Sequence, residues 1–259
     1  MRHHPIDSQL FVENRDRLRK LLPPNSLAAV NANDVLPTNA DGSLPLVPNN
    51  DLFYLSGVEQ EESLLVLAPD AADEKLREIL FLREPNEHLK TWEGYKLSKD
   101  DATKISGVRT VKWLSELPGV WHGLMCDAEQ VFLNSNEHKR AVVEVETRDA
   151  RFVDDCKRRY PLHTYRRLAP LLHKLRVVKS AREIELLKEA IRITDAGFRR
   201  VCQAVRPGVA EFELEAEFAH EFVRNRAKFA YTPIIASAQT PASCTTSPTI
   251  NRAGPATCC

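Results

Sequence analysis

The chain has 259 residues, 43% hydrophobic and 28% charged, with Lys+Arg and Asp+Glu both at 36. That is the composition of a soluble globular protein with room for one large or two ordinary domains. The zero charge balance gives no footing for a nucleic-acid or anionic-membrane partner, and no apolar run reaches the length of a membrane span.

The N-terminus, Met1-Arg2-His3-His4-Pro5, has no apolar signal core, which places the protein in the cytoplasm. Ser8 to Leu22 reads as a helix with Leu10, Phe11, Leu18, Leu21 and Leu22 inward, ended by Pro23-Pro24. Ser26 to Asn31 is a short strand, and the Asn-, Asp- and Pro-rich stretch from Asn31 to Asn50 a loop. The apolar runs Ser63 to Leu67 and Glu78 to Arg83 read as buried strands, with a short helix from Ala71 to Glu78 between them. Lys99 to Ile105 is a helix, and Val108 to Trp113 and Gln130 to Leu133 are strands. Thr147 to Tyr160 and Ala169 to Arg176 are helices. Strands alternating with helices predict a mixed or parallel sheet covered on its faces, an α/β fold without a visible internal repeat.

The most regular stretch follows. Ser180 and Glu183 have capping-box spacing. Ile184, Leu187, Ile191, Thr194, Phe198, Val201 and Val205 then step 3, 4, 3, 4, 3, 4, one stripe on a helix of about seven turns. Arg206-Pro207-Gly208 stops it. A second helix buries Leu214, Phe218 and Phe222, with Ala219 and Val223.

The wording of this region is more specific than its periodicity. Val178-Lys179-Ser180-Ala181-Arg182-Glu183-Ile184-Glu185, Arg206-Pro207-Gly208-Val209-Ala210-Glu211 and Tyr231-Thr232-Pro233-Ile234-Ile235-Ala236-Ser237 together resemble the start of the "pita-bread" catalytic domain. That is the aminopeptidase P, prolidase and creatinase family, with the closest likeness to aminopeptidase P. The last run looks like the strand leading into the active site. Leu52-Phe53-Tyr54-Leu55-Ser56-Gly57 resembles the aromatic segment before a hairpin in the family's N-terminal domain, and Arg83 followed by Trp92-Glu93-Gly94 matches that domain too. The resemblance implies two readings for Trp92. With Arg83 it contributes to the substrate pocket of a neighbouring subunit in a homo-oligomer, or it plugs the edge of its own domain.

The family's reaction is removal of the N-terminal residue preceding proline from proline-containing peptides. It uses two metal ions, normally manganese (Mn2+), held by two Asp, one His and two Glu. All five ligands follow the Tyr-to-Ser strand in the family, whereas only 22 residues follow Ser237 here, without Asp, Glu or His. No metal or catalytic residue is therefore assigned. Asp154-Asp155 and Glu144/Glu146 read as solvated helix faces. His220-Glu221 is no His-Glu-x-x-His, because residue 224 is Arg. The six cysteines include no Cys-x-x-Cys, so neither a zinc site nor a redox pair is signalled.

Residues 238–259 hold five Thr, four Ala, three Pro and three Cys, and no Leu, Val or Phe. Reading their codons one base out of register from Ser237 permits Gly-Ala-Asn-Ala-Cys-Val-Leu-His-Tyr, the family's continuation. The expected organisation is an aminopeptidase P/creatinase-type N-terminal domain over 1–175, an incomplete pita-bread domain over 176–237, and an out-of-frame, disordered tail over 238–259. The expected function is an Xaa-Pro aminopeptidase lineage, with this chain an inactive truncated or frameshifted form. A non-catalytic oligomerisation or binding module, and a fragment of a prolidase- or creatinase-like enzyme, are the alternatives.

Overall fold

The computed structural model describes residues 3–86, 94–135, 137, 140 and 142–235. They fall into two compact units. One runs from Ile6 to Val178; the other takes Lys179 onward with the first five residues.

The first unit opens with α1 (Ser8–Arg19), whose N-cap Asp7 accepts a hydrogen bond from the Gln9 backbone N–H at 3.0 Å. The helix ends short of Leu22, because Pro23 pushes the residue before it out of helical geometry. The strands β1 (Ser26–Asn31), β2 (Leu64–Leu67), β3 (Glu78–Leu82), β4 (Thr110–Trp113), β5 (Gln130–Leu133) and β6 (Thr164–Arg167) form one sheet in the order β4-β3-β2-β1-β5-β6. β1–β2 and β2–β3 are antiparallel, and the other pairs parallel, so the sheet is mixed.

All six residues of β1 and all four of β2 are buried. Both faces of these strands are covered, which is why they read as continuous apolar runs instead of alternating ones. Leu65, Leu67, Leu80 and Leu82 point to one core with Leu18 of α1, Leu52 and Leu55 of α2 (Asn50–Ser56), Ala102 of α3 (Lys99–Ser106) and Leu172 of α6 (Ala169–Val177). Leu64, Val66, Ile79 and Phe81 point to the other, against Trp121 and Met125 of α4 (Leu117–Asp127) and Cys156 of α5 (Arg148–Arg159).

Three elements escape the sequence reading. α2 is only seven residues long and depends on Asn49, whose side chain accepts from the N–H groups of Asp51 and Leu52 at 2.9 and 3.1 Å. α4 carries Gly119 and Gly123, which weaken helix propensity, and is held by burial of Trp121, Leu124 and Met125. β6 is a polar edge strand with no apolar alternation to reveal it. The helix expected over Ala71 to Glu78 is a single 3-10 turn at Glu74–Leu76, and Glu78 already belongs to β3.

A local motif occurs twice in this unit. Ser56-Gly57-Val58 ends α2 and Ser106-Gly107-Val108 ends α3. Each serine is buried and donates to the carbonyl four residues back, Leu52 at 2.7 Å and Ala102 at 2.6 Å. Each Ser Oγ then accepts from the valine N–H, at 3.2 and 3.1 Å. Each glycine is left-handed, with φ of 68° and 71°. Both glycines face α1. A Cβ on Gly57 would collide with the Phe11 ring, and one on Gly107 would meet Val12 at 2.6 Å. Gly57→Ala is therefore expected to cost roughly 2–4 kcal/mol, from left-handed strain and overpacking together. Gly94→Ala has the same positive φ but nothing within 4 Å. It should cost only about 1 kcal/mol. Urea unfolding followed by tryptophan fluorescence checks the pair, and equal losses would show that Phe11 yields freely.

The second unit holds α7 (Ala181–Ala204) and α8 (Glu211–Arg224). The capping box is formed as expected: Glu183 N donates to Ser180 Oγ at 3.2 Å and Ser180 N to Glu183 Oε2 at 2.8 Å. The two helices approach closely at Gly197, where a Cβ would sit 3.0 Å from Phe218. Phe198, Phe218, Phe222 and Phe229 stack around that contact with ring centroids 4.7–5.7 Å apart. Much of the stripe is nonetheless exposed. Ile184 is 42% exposed, Leu187 48%, Ile191 67% and Phe198 59%. Val223, expected inside, is also exposed. Tyr231–Ile235 forms no strand, contrary to the sequence reading; no neighbouring strand pairs with it among the described residues, and a lone strand has no hydrogen-bond ladder.

Candidate functional site

Arg83 follows β3 directly. Its Nη1 lies 3.7 Å from Glu61 Oε1, and Lys96 Nζ pairs with the same carboxylate oxygen. Gln60 Oε1 accepts from the Leu97 N–H at 2.8 Å. The segment after β3 is thus tied at both ends to the turn before β2. Trp92 lies outside the described residues; Arg83 is placed beside Glu61 and Lys96.

The described residues do not fit a metal pair. None of them form a group of three or more His, Cys, Asp or Glu able to hold an ion. Of the carboxylates singled out in the sequence, Asp155 is engaged in ion pairs. Asp155 pairs with Arg158 at 2.6 Å and Arg159 at 2.9 Å on the outer face of α5. His220 Nδ1 lies 4.0 Å from Oε2 of its neighbour Glu221. The described cysteines, Cys126, Cys156 and Cys202, form no disulfide, and burial pushes the Cys156 thiol up to about 12, which keeps it inert.

A further polar cluster was not legible in the sequence. It lies at the carboxyl ends of β1 and β5, around a crevice of about 680 Å³. Asn31, the last residue of β1, donates from Nδ2 to Asp149 Oδ1 at 2.9 Å. Asp149 sits in the first turn of α5, which Thr147 caps through the Ala150 N–H at 3.2 Å. Burial raises the Asp149 carboxyl from the usual range to about 6. The Asn31 hydrogen bonds oppose that rise, and the nearby Asp51 charge adds to it. Across the crevice Asp51 Oδ1 accepts from Arg176 Nη1 at 2.7 Å and Asp51 Oδ2 from Asn134 Nδ2 at 3.1 Å. Asn134 Oδ1 is buried without a hydrogen-bond partner. The only sequence signal for this cluster was an asparagine closing an otherwise apolar strand, and one strand-end asparagine is common.

Residues 11–132 match the family described as "Aminopeptidase P, N-terminal domain", and residues 185–256 match "Metallopeptidase family M24". The second match takes in most of the segment expected to be out of frame. The Xaa-Pro aminopeptidase of Escherichia coli (strain K12) is 28% identical over 236 residues, 90% of this chain and 53% of that protein. The Xaa-Pro aminopeptidase of Haemophilus influenzae is 27% identical over 232 residues, 89% of this chain and 51% of its own length. Among solved structures, Pseudomonas aeruginosa aminopeptidase PepP superposes with a TM-score of 0.72 at 25% identity, covering 85% of this chain and 50% of that one. The low-pH form of E. coli aminopeptidase P gives 0.68 at 29% identity, with the same coverage. The chain spans about half the length of the curated relatives it matches.

Proposed function

We propose, on the premise that this chain carries an aminopeptidase P N-terminal domain followed by the opening of an M24 metallopeptidase domain, that it derives from an enzyme removing the N-terminal residue before proline. The observation that carries the reading is the order of the two family matches along one chain, with Xaa-Pro aminopeptidases aligned to 89–90% of it. The substrates are proline-containing peptides, the metal is a manganese pair, and the compartment is the cytoplasm. Among the described residues no helix is long and apolar enough to cross a membrane.

The 259-residue chain itself is the scaffold of this enzyme and not its catalyst. Its described residues gather no ligand set for a metal pair, so no step of the reaction is assigned to them. The exposed stripe on α7 is the face on which the remainder of an M24 sheet packs. Arg83, with Trp92, approaches the substrate pocket of a neighbouring subunit in a homo-oligomer.

The expected result is that the purified chain, supplied with manganese, releases no N-terminal residue from an Xaa-Pro peptide. Manganese-dependent release by this chain, free of any full-length enzyme, would refute the scaffold assignment. The nucleotide sequence around the Ser237 codon tests the lineage. It should read Leu-His-Tyr in the shifted frame, followed by Asp, His and Glu codons. A prompt stop in that frame would instead favour a stand-alone binding module.

A further inference from the structure

The crevice at the ends of β1 and β5 belongs to none of the chemistry described above. It sits where the chain leaves adjacent parallel strands in opposite directions, toward α2 after β1 and toward α5 after β5. Such divergence points at strand carboxyl ends are where α/β sheets offer ligands a preformed opening. Its volume of about 680 Å³ is within the range of small-molecule sites.

The polar groups lining it are not balanced. Asp51 is neutralised by Arg176, Asp34 by Arg151 at 2.7 Å, and Glu137 by Arg167. Asp149 is 8% exposed, and Asn31 gives it only neutral amide donors. Arg148, next to it on α5, acts on its charge without an ion pair at contact distance. Asn134 is 4% exposed and its Oδ1 accepts nothing. That amide cannot turn over to resolve the deficit, because its Nδ2 is held by Asp51 Oδ2 and a flip would set two oxygens against each other. Asn134, whose acceptor has no donor, and Asp149, whose carboxylate has no cation at contact distance, line the same crevice. Each is costly alone, and one group supplying both N–H donors and positive charge satisfies the two together.

We propose that this crevice binds a small molecule bearing an ammonium or guanidinium group, with Asn134 Oδ1 and the Asp149 carboxylate as its acceptors. A protonated Asp149 would not attract such a cation, so affinity should fall as pH drops through about 6. His173 on α6 also lines the crevice.

Agmatine, which carries both cationic groups, and neutral N-butylurea are the probes, titrated calorimetrically into the full chain. Agmatine should bind saturably at pH 7.5, at least tenfold more tightly than N-butylurea. Its affinity should drop roughly tenfold from pH 7 to pH 5 as Asp149 takes up its proton. Asp149→Asn should weaken binding at least tenfold and shrink the pH dependence. Asn134→Ala should weaken it without altering that dependence. The wild-type pH series needs no variant, so a poorly folded mutant does not spare the proposal. Absence of saturable agmatine binding, equal affinity for N-butylurea, or a wild-type affinity unchanged between pH 7 and 5 would overturn it.

Discussion

Arg15→Ala should destabilise the unit spanning Ile6 to Val178 by about 3–5 kcal/mol, a large share of the ~5–15 kcal/mol that holds an ordinary domain together. Arg15 is fully buried in α1. Its Nη1 donates to the carbonyls of Leu55 at 2.6 Å and Ser106 at 2.9 Å, and its Nη2 lies 2.9 Å from Glu78 Oε1. Burial lowers the guanidinium pKa, and the Glu78 carboxylate works against that shift. Truncation leaves two buried helix-end carbonyls without donors and removes one of Glu78's two cations; the other is Arg19, 3.0 Å away. Arg15→Lys keeps the charge but cannot span three acceptors with a planar fork, so it should lose an intermediate amount. All three tryptophans, Trp92, Trp113 and Trp121, lie in this unit, so their fluorescence during urea unfolding reports on it alone. A loss under about 1 kcal/mol for Arg15→Ala would show that water reaches the vacated carbonyls.

Asp149→Asn should act in the opposite direction. The carboxyl titrates near 6 in the folded chain against an ordinary value of 3.8. The folded state therefore holds this proton more tightly than the unfolded state. Between about pH 4 and pH 6 the group's contribution grows more favourable as pH falls; above pH 6 the ionised, desolvated form is a standing cost. A carboxyl raised this far carries a cost of up to about 3 kcal/mol when ionised. The variant should be more stable than the wild type at pH 7 by as much as that, with the gap closing toward pH 4. Glu116, lowered to about 2 by its hydrogen bonds with Lys112 and the Trp113 N–H, has the reverse dependence at lower pH. It is common to both proteins and cancels in the difference. A gap that stays constant from pH 7 to pH 4 would show that the ionised form carries no burial cost. A stability gain together with lost agmatine binding would mark Asp149 as kept for a ligand at the expense of the fold.

The sequence discloses what depends on covered apolar faces and hides what depends on single polar contacts. β1 and β5 fall where the apolar runs place them, Ser26 to Asn31 and Gln130 to Leu133, because strands buried on both faces tolerate little else. The capping box at Ser180 and the stripe from Ile184 are legible for a similar reason, since spacing alone sets them. α2 and β6 are too short or too polar for periodicity to find. Arg15 looks like one more charge on an amphipathic helix until Leu55, Glu78 and Ser106 are brought around it. The Ser-Gly-Val repeat passes unseen because three residues recurring about fifty positions apart have no weight without the shared contact on α1. The crevice is hidden in the same way, since Asn31, Asp51, Asn134 and Asp149 are scattered over more than a hundred positions.

Arg15 also sets the order in which the chain can be completed during synthesis. Its carbonyl partners lie 40 and 91 residues downstream, and Arg17 in the same helix donates to the Leu175 carbonyl, 158 residues away. A nascent chain exposed only as far as about residue 100 has α1, α2 and the hairpin of β2 and β3 available, but not Ser106. Its arginine must remain hydrated, because desolvating the guanidinium before its acceptors exist is unfavourable. α1, made before its acceptors, therefore docks late. Contacts this distant in sequence slow folding and prolong the exposure of apolar strands. The hairpin, with its run of buried leucines, is a segment whose apolar faces stay uncovered during that interval.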